Sequence, residues 1–342
     1  MIYKPEFELI EILTKDFEIK KTPFVNTVVG IGDDTAVLEY NDTHYLLMTS
    51  DLLVENVHFD PIYTPMHHLG FKSVAVNLSD IYAMNGIPTA ITVNIAVSNR
   101  YDEQHLKDFY YGVKAACDSY KINLVGGDTS TSVKGLFISI TATGVVEKNR
   151  LTLRKNAKNN DLICVSGDLG AAYAGLQILE REKQIFLENP TTQPELSQYN
   201  YVVGRLLKPS ARKDIMEYFL LNDIIPNSMI DISDGLANDL NHICKQSNLG
   251  AHIFANKLPI DYQTIKVAEE FEIPYTTYAL YGGEDYELLF TLKPQLYDLI
   301  KHDKDKISVI GFMTDKQQEI TMETIDGQTV VVEPLGWDHF KK

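Results

Sequence analysis

The residues of this chain that can do chemistry are aspartates set in short motifs rich in glycine, serine and threonine: Gly30-Ile31-Gly32-Asp33-Asp34, Thr49-Ser50-Asp51, Gly126-Gly127-Asp128-Thr129 and Asp231-Ile232-Ser233-Asp234-Gly235. Magnesium demands hard oxygen ligands and commonly takes one or two carboxylates together with substrate phosphate and water. Small neighbours let backbone approach a phosphate, and Thr49 and Ser50 offer hydroxyl or carbonyl oxygens to the same cluster. Singly, each motif also reads as a plain turn, with Ser233 or Asp234 capping the next helix. Four motifs of one style point instead to phosphoryl transfer assisted by metal ions.

Further candidates stand apart from these motifs. Asp80 falls on a helical stripe with Ser73 and Asn77, and such short polar side chains fit a face turned toward a packed polar site better than a solvated one. Gly282-Gly283-Glu284-Asp285-Tyr286-Glu287-Leu288 is a dense acidic patch whose Glu284 and Asp285 either bind a cation or end a turn. His58 either touches an anionic substrate or is packed, and Arg154 and Lys155 either bind phosphate or lie in solvent. His67-His68 lacks the i,i+4 spacing of a helical zinc site. The sequence holds no P-loop, no kinase catalytic-loop set and no GxSxG elbow, so charge neutralisation falls to metal ions rather than lysines.

The elements that must position these groups follow from periodicity. A helix is expected over the first ~20 residues, broken by Pro23, then β-like runs at 28–38 and 45–50 separated by the polar turn Asn41-Asp42-Thr43. Residues 71–84 form the clearest helix of the first half, stopped by Asn85-Gly86 and Pro88. A strand at 90–97, a helix at 103–119 and a strand at 136–146 complete a mixed α/β unit. The polar, basic stretch 147–160 marks a boundary, which gives domains 1–150 and 151–342. The second begins with a strand at 162–165, a glycine turn and a helix at 171–179. It continues, after a polar loop at 187–200, with a strand at 229–232, a helix from Leu236 and a strand at 287–292. In every motif the carboxylates are expected where a strand opens into a loop.

Bulk properties agree. The chain has 342 residues, 44% hydrophobic and 23% charged, a length suited to two domains of ~150 residues. A net charge of −16 argues against nucleic-acid binding and suits cations. No apolar run is long enough to span a membrane, and the N-terminus lacks the pattern of a signal peptide. Cys117, Cys164 and Cys244 read as buried thiols in a reducing cytoplasm.

Taken in order, GIGDDTAVL (30–38), TSDLLVENVHF (49–59), KSVAVNLSDIYAMNGIPTA (72–90), LVGGDTS (124–130), the 144–170 stretch, IDISDGLANDL (230–240) and GGEDYELLF (282–290) resemble the thiamine-monophosphate kinases of the aminoimidazole-ribonucleotide-synthetase-like superfamily. The resemblance implies an α/β fold of α+β type. Its N-terminal domain would carry a dimerising sheet and its C-terminal domain would be α/β. It implies transfer of the ATP γ-phosphate to thiamine monophosphate in a cytoplasmic homodimer that uses several Mg2+ ions. Asp34, Thr49, Ser50, Asp51, Asp80, Asp128, Asp231 and Asp234 would hold metal; of these, Asp34, Asp51, Asp80, Asp128 and Asp231 would be catalytic. Tyr111, Gly127, Asp128, Arg154 and Ser233 would contact ATP, and His58, Glu284 and Trp337 the thiamine substrate. The alternatives are a related synthetase or a non-catalytic nucleotide- or metal-binding regulator. The selenophosphate branch usually uses a reactive Cys near the N-terminus, and here no Cys precedes Cys117.

Overall fold

The computed structural model describes residues 6–191, 193–303 and 305–336. The first half runs through helix α1 (Glu6–Thr14), strands β1 (Thr27–Val29), β2 (Ala36–Glu39) and β3 (His44–Val54), and helix α2 (Met66–Ala83). It closes with β4 (Ile87–Val97), α3 (Glu103–Tyr120), β5 (Asn123–Thr131) and β6 (Leu136–Glu147). Its strands form one sheet in the order β1-β2-β3-β6-β4-β5, antiparallel except for the β4–β5 pair.

Side-chain alternation gives this sheet two unlike faces. Leu47 and Leu53 of β3 and Leu136, Ile138, Ile140 and Ala142 of β6 are buried on the face that α2 covers. On the other face Met48, Leu52 and Phe137 are exposed.

The second half contains β7 (Leu162–Ser166), α4 (Ala171–Glu188), α5 (Asn200–Leu207), α6 (Lys213–Leu221), β8 (Ser228–Asp231) and α7 (Leu236–Ser247). Then follow β9 (Gly250–Phe254), α8 (Tyr262–Glu270), α9 (Tyr275–Tyr281), β10 (Leu288–Leu292), α10 (Tyr297–Ile300), β11 (Ile307–Thr314), β12 (Ile320–Glu323) and β13 (Thr329–Val331). Here the order is β13-β12-β9-β11-β7-β10-β8, with only β12–β9 parallel. One apolar cluster joins the two sheets: Val74, Leu78 and Ile81 of α2 share it with Met229, Leu288 and Phe290. Helix α2 is therefore the seam, packed on the first sheet and against β8 of the second.

The structure corrects three expectations. The N-terminal helix ends at Thr14, whose hydroxyl bonds back to the Ile10 carbonyl at 2.7 Å, and residues 15–26 are exposed with no face to bury. The run 28–38 is two strands split by the glycine-containing loop that holds Asp33 and Asp34, with Gly32 at φ 117°. Finally, Thr49-Ser50-Asp51 and Gly126-Gly127-Asp128 lie within β3 and β5, not at strand ends. Long cross-strand pairing carries both strands past the polar residues: β3 stays paired with β6 from His44 to Val54.

Candidate active site

A cleft of about 710 Å³ opens where α2 meets both sheets, and Asp34, Thr49, Asp51, Asp80, Arg154, Asp231, Ser233 and Asp234 line it. Asp34 comes from the β1–β2 loop, Thr49 and Asp51 from mid-β3, Asp80 from the last turns of α2, and Asp231 from the end of β8. Asp34, Asp80 and Asp231 each bring a carboxylate oxygen within 4.8 Å of the others.

Neighbouring side chains hold the carboxylates of Asp80, Asp231 and Asp34 and the backbone of Asp51. Thr49 donates its hydroxyl to Asp80 at 2.6 Å, and Ser79 donates to Asp231 at 2.6 Å. The Asn77 side-chain oxygen accepts the Asp51 amide at 3.0 Å while its own NH2 bonds the Ser73 carbonyl at 3.0 Å. Asn77 and Asp80 of the expected stripe thus face a packed polar site, while the Ser73 hydroxyl returns to the Leu69 carbonyl of its own helix at 2.7 Å. Arg154 bonds Asp34 through Nε (3.1 Å) and a terminal nitrogen (2.5 Å), and its amide reaches both oxygens of Asp33 at 3.3 Å.

Burial and mutual repulsion raise the proton affinity of the group. Burial first, then Asp34, pushes Asp231 up to about 7. Asp51 rises to about 6 through burial. Burial, then Asp51, Asp231 and Asp34, lift Asp80 well above the usual carboxylate range, against the Thr49 hydrogen bond. Asp33 rises to about 7 through burial and then Asp34. Arg154 is the one cation bonded to these carboxylates among the described residues. A hard divalent cation fits this set: its donors are oxygens, they converge, and the buried Oδ2 of Asp34 has no hydrogen-bond partner.

Other expected residues sort cleanly. The Ser50 hydroxyl is on the opposite face of the sheet, accepting from Thr141 at 3.2 Å and donating to the Ile140 carbonyl at 3.1 Å, because β3 alternates. Neither Ser233 nor Asp234 caps α7. Instead Asp239 reaches back from inside the helix to accept the Asp234 and Gly235 amides at 3.3 and 3.1 Å, and the Asp234 side chain lines the cleft. His58 and Glu284 line the cleft further along. Asp285 turns away and accepts the Gly170 amide at 2.8 Å at the start of α4, and Lys155 is exposed. Trp337 lies outside the described residues.

Asp128, Gly127 and Tyr111 are not in the cleft. Asp128 stands opposite Asn94, Asn94 opposite Ser139, and Ser139 opposite Leu52, a separation of three strand spacings or roughly 14 Å. Gly127 is required by β4, since a Cβ there would come 1.9 Å from the Val93 carbonyl oxygen. Tyr111, 66% exposed, borders a smaller cavity with His67, Phe71 and Lys208.

Two residues of α2, Lys72 in the cleft and Ser79 buried behind it, escape sequence reasoning. Lys72 is buried on α2 and bonds Glu284 at 2.8 Å, and Ser79 holds Asp231. The only signal for either is the run of small and apolar residues around them in KSVAVNLSD.

The family model of the AIR synthase related protein, N-terminal domain, matches residues 32–146, so the six-stranded sheet and its helices define the class as AIR-synthase-like. Over 341 residues the chain is 38% identical to the thiamine-monophosphate kinase of Buchnera aphidicola subsp. Schizaphis graminum, covering 98% of this chain and 99% of that one. The Bacillus subtilis (strain 168) enzyme of that name is 32% identical over the same length and coverage. The solved structure of AaThiL complexed with AMPPCP and TMP superposes with a TM-score of 0.82 at 33% identity, covering 98% of this chain and 97% of that one. The chain belongs to the thiamine-monophosphate kinase family, and it is a phosphotransferase.

Proposed function

We propose that the enzyme transfers the γ-phosphoryl group of ATP directly to thiamine monophosphate, giving thiamine diphosphate and ADP. The observation that carries this reading is the convergence of Asp34, Asp80 and Asp231 in the cleft. The AaThiL complex, which holds an ATP analogue and TMP, supports the choice of substrates. Asp34, Thr49, Asp51, Asp80, Asp231 and Asp234 are the side chains that would hold several Mg2+ ions, and such ions supply charge neutralisation between two anionic phosphates. The acceptor is a phosphate monoester with a second pKa of about 6, so its attacking oxygen is already ionised at neutral pH and needs no strong general base. The chain's own work is to orient: Thr49 and Ser79 fix the carboxylates of Asp80 and Asp231, Asn77 holds the Asp51 backbone, and Arg154 anchors the Asp33–Asp34 loop.

We also propose a homodimer in which the bare sheet faces pair, with Met48, Leu52 and Phe137 at the contact. Their exposure on one sheet face supports this. Asp128, on the bare face with Leu52, and Gly127 and Tyr111, on the side that the helices cover, would be the residues that meet ATP. Incubation with γ-labelled ATP and thiamine monophosphate tests the reaction: label is expected in thiamine diphosphate. Label on the protein in the absence of acceptor would contradict direct transfer.

A further inference from the structure

Lys72, Val76 and Asp80 are spaced i, i+4, i+8 along α2 and all line the cleft. Two helical turns separate Lys72 from the carboxylate cluster, about 12 Å at 1.5 Å per residue. The Lys72 side chain is only 4% exposed. Its ammonium lies 2.8 Å from a Glu284 oxygen and 3.5 Å from the His58 carbonyl. Glu284 itself is partly open to the cleft.

The backbone around Glu284 is held in an uncommon shape. Gly283, Glu284 and Tyr286 have φ of 70°, 58° and 51°. The Glu284 amide bonds the Ser233 carbonyl at 2.7 Å, and the Tyr286 amide bonds the Ile232 carbonyl at 2.8 Å. A Cβ at Gly283 would meet the Ser233 carbonyl oxygen at 2.6 Å. The segment bearing Glu284 is therefore clamped to the one bearing Asp231 and Asp234. Lys72 ties it across the cleft to the helix bearing Asp80.

We infer that Lys72 is a positioning residue that fixes the Glu284 carboxylate about two helical turns from Asp80, where it meets the nitrogen heterocycle of the acceptor and sets selectivity for it over a bare phosphate monoester. Around this end the cleft is lined by Tyr63, Tyr173, Leu176, Leu206 and Leu207, which suits a flat organic ring. The inference rests on the proposed acceptor and deepens it. A buried ion pair is costly to break from one side, whereas neutral replacement of both partners is tolerated. This makes a mutant cycle informative.

The test compares wild type, Lys72→Met, Lys72→Arg, Glu284→Gln and the Lys72→Met/Glu284→Gln double variant by steady-state kinetics and thermal melting. Lys72→Met is expected to raise KM for thiamine monophosphate by about tenfold or more, with KM for ATP moving less than about twofold. Lys72→Arg should restore most of the loss, and the double variant should be no worse than Glu284→Gln alone. If Lys72→Met does not fold, the arginine and double variants carry the comparison. A melting shift with both KM values unchanged overturns the inference, as does additivity in the double variant. A wild-type enzyme that makes no thiamine diphosphate overturns instead the reading on which the inference rests.

Discussion

Asp80 stands on the polar stripe of an otherwise largely buried helix, where Thr49 donates to its carboxylate while two other carboxylates converge on the same space. Replacing it by Asn keeps the shape and removes the charge. Turnover is expected to fall by at least about a hundredfold, with the melting temperature equal to or above that of wild type, because repulsion from Asp51 and Asp231 is relieved. The raised proton affinities give a second prediction. Asp231 at about 7 and Asp51 at about 6 bind protons more tightly folded than unfolded. Their stabilising contribution is complete below the ordinary carboxylate range and is lost as pH rises through about 6 to 7. Metal-free protein should therefore melt lower at about pH 8 than at about pH 5.5, and Mg2+ should raise the melting temperature more at the higher pH. Equal Mg2+ effects at both pH values would contradict a metal held by these groups. At this scale the sequence is informative where a residue breaks its local pattern, as Asp80 does on its helix. Lys72 breaks the pattern too, yet a helix-borne lysine ordinarily snorkels to solvent, and only the packed structure shows its ammonium buried against Glu284.

At the scale of elements, β3, α2 and β8 do the positioning, and all three are legible in the sequence as the strand 45–50, the helix 71–84 and the strand 229–232. The sequence misplaces the chemistry on β3 because alternation, not strand termination, exposes Asp51. Thr49 and Asp51 face α2 while Ser50 faces away. It also leaves β9, β11, β12 and β13 unread: β9, β12 and β13 are short, and β9 and β11 pair with each other from far apart in the sequence. Strand β5 is hidden for another reason, since its Gly126-Gly127 pair reads as a turn although close pairing with β4 demands the glycine at 127. Gly127→Ala would place a methyl 1.9 Å from the Val93 carbonyl. We expect a loss of about 1–3 kcal/mol, measured by denaturant unfolding; an unchanged midpoint would contradict the close approach of the two strands.

For the whole molecule, the two sheets share one core through α2, so the cleft is built from both halves of the chain and neither half holds it alone. Among the described residues, the bare face of the first sheet carries the exposed apolar side chains Met48, Leu52 and Phe137. Leu52→Glu, with Leu52 53% exposed at its centre, should convert a dimer to a monomer in sedimentation experiments; a species of unchanged mass would contradict pairing through this face. The central claim is that the aspartate cluster, holding divalent metal, is the catalyst. Thiamine diphosphate formation from Mg-ATP and thiamine monophosphate, followed by chromatography for wild type and folded Asp80→Asn side by side, tests it most directly. The account predicts product from wild type, abolished by chelator, and none above background from Asp80→Asn. Wild-type rates from Asp80→Asn, or no product from the wild-type enzyme, would contradict it.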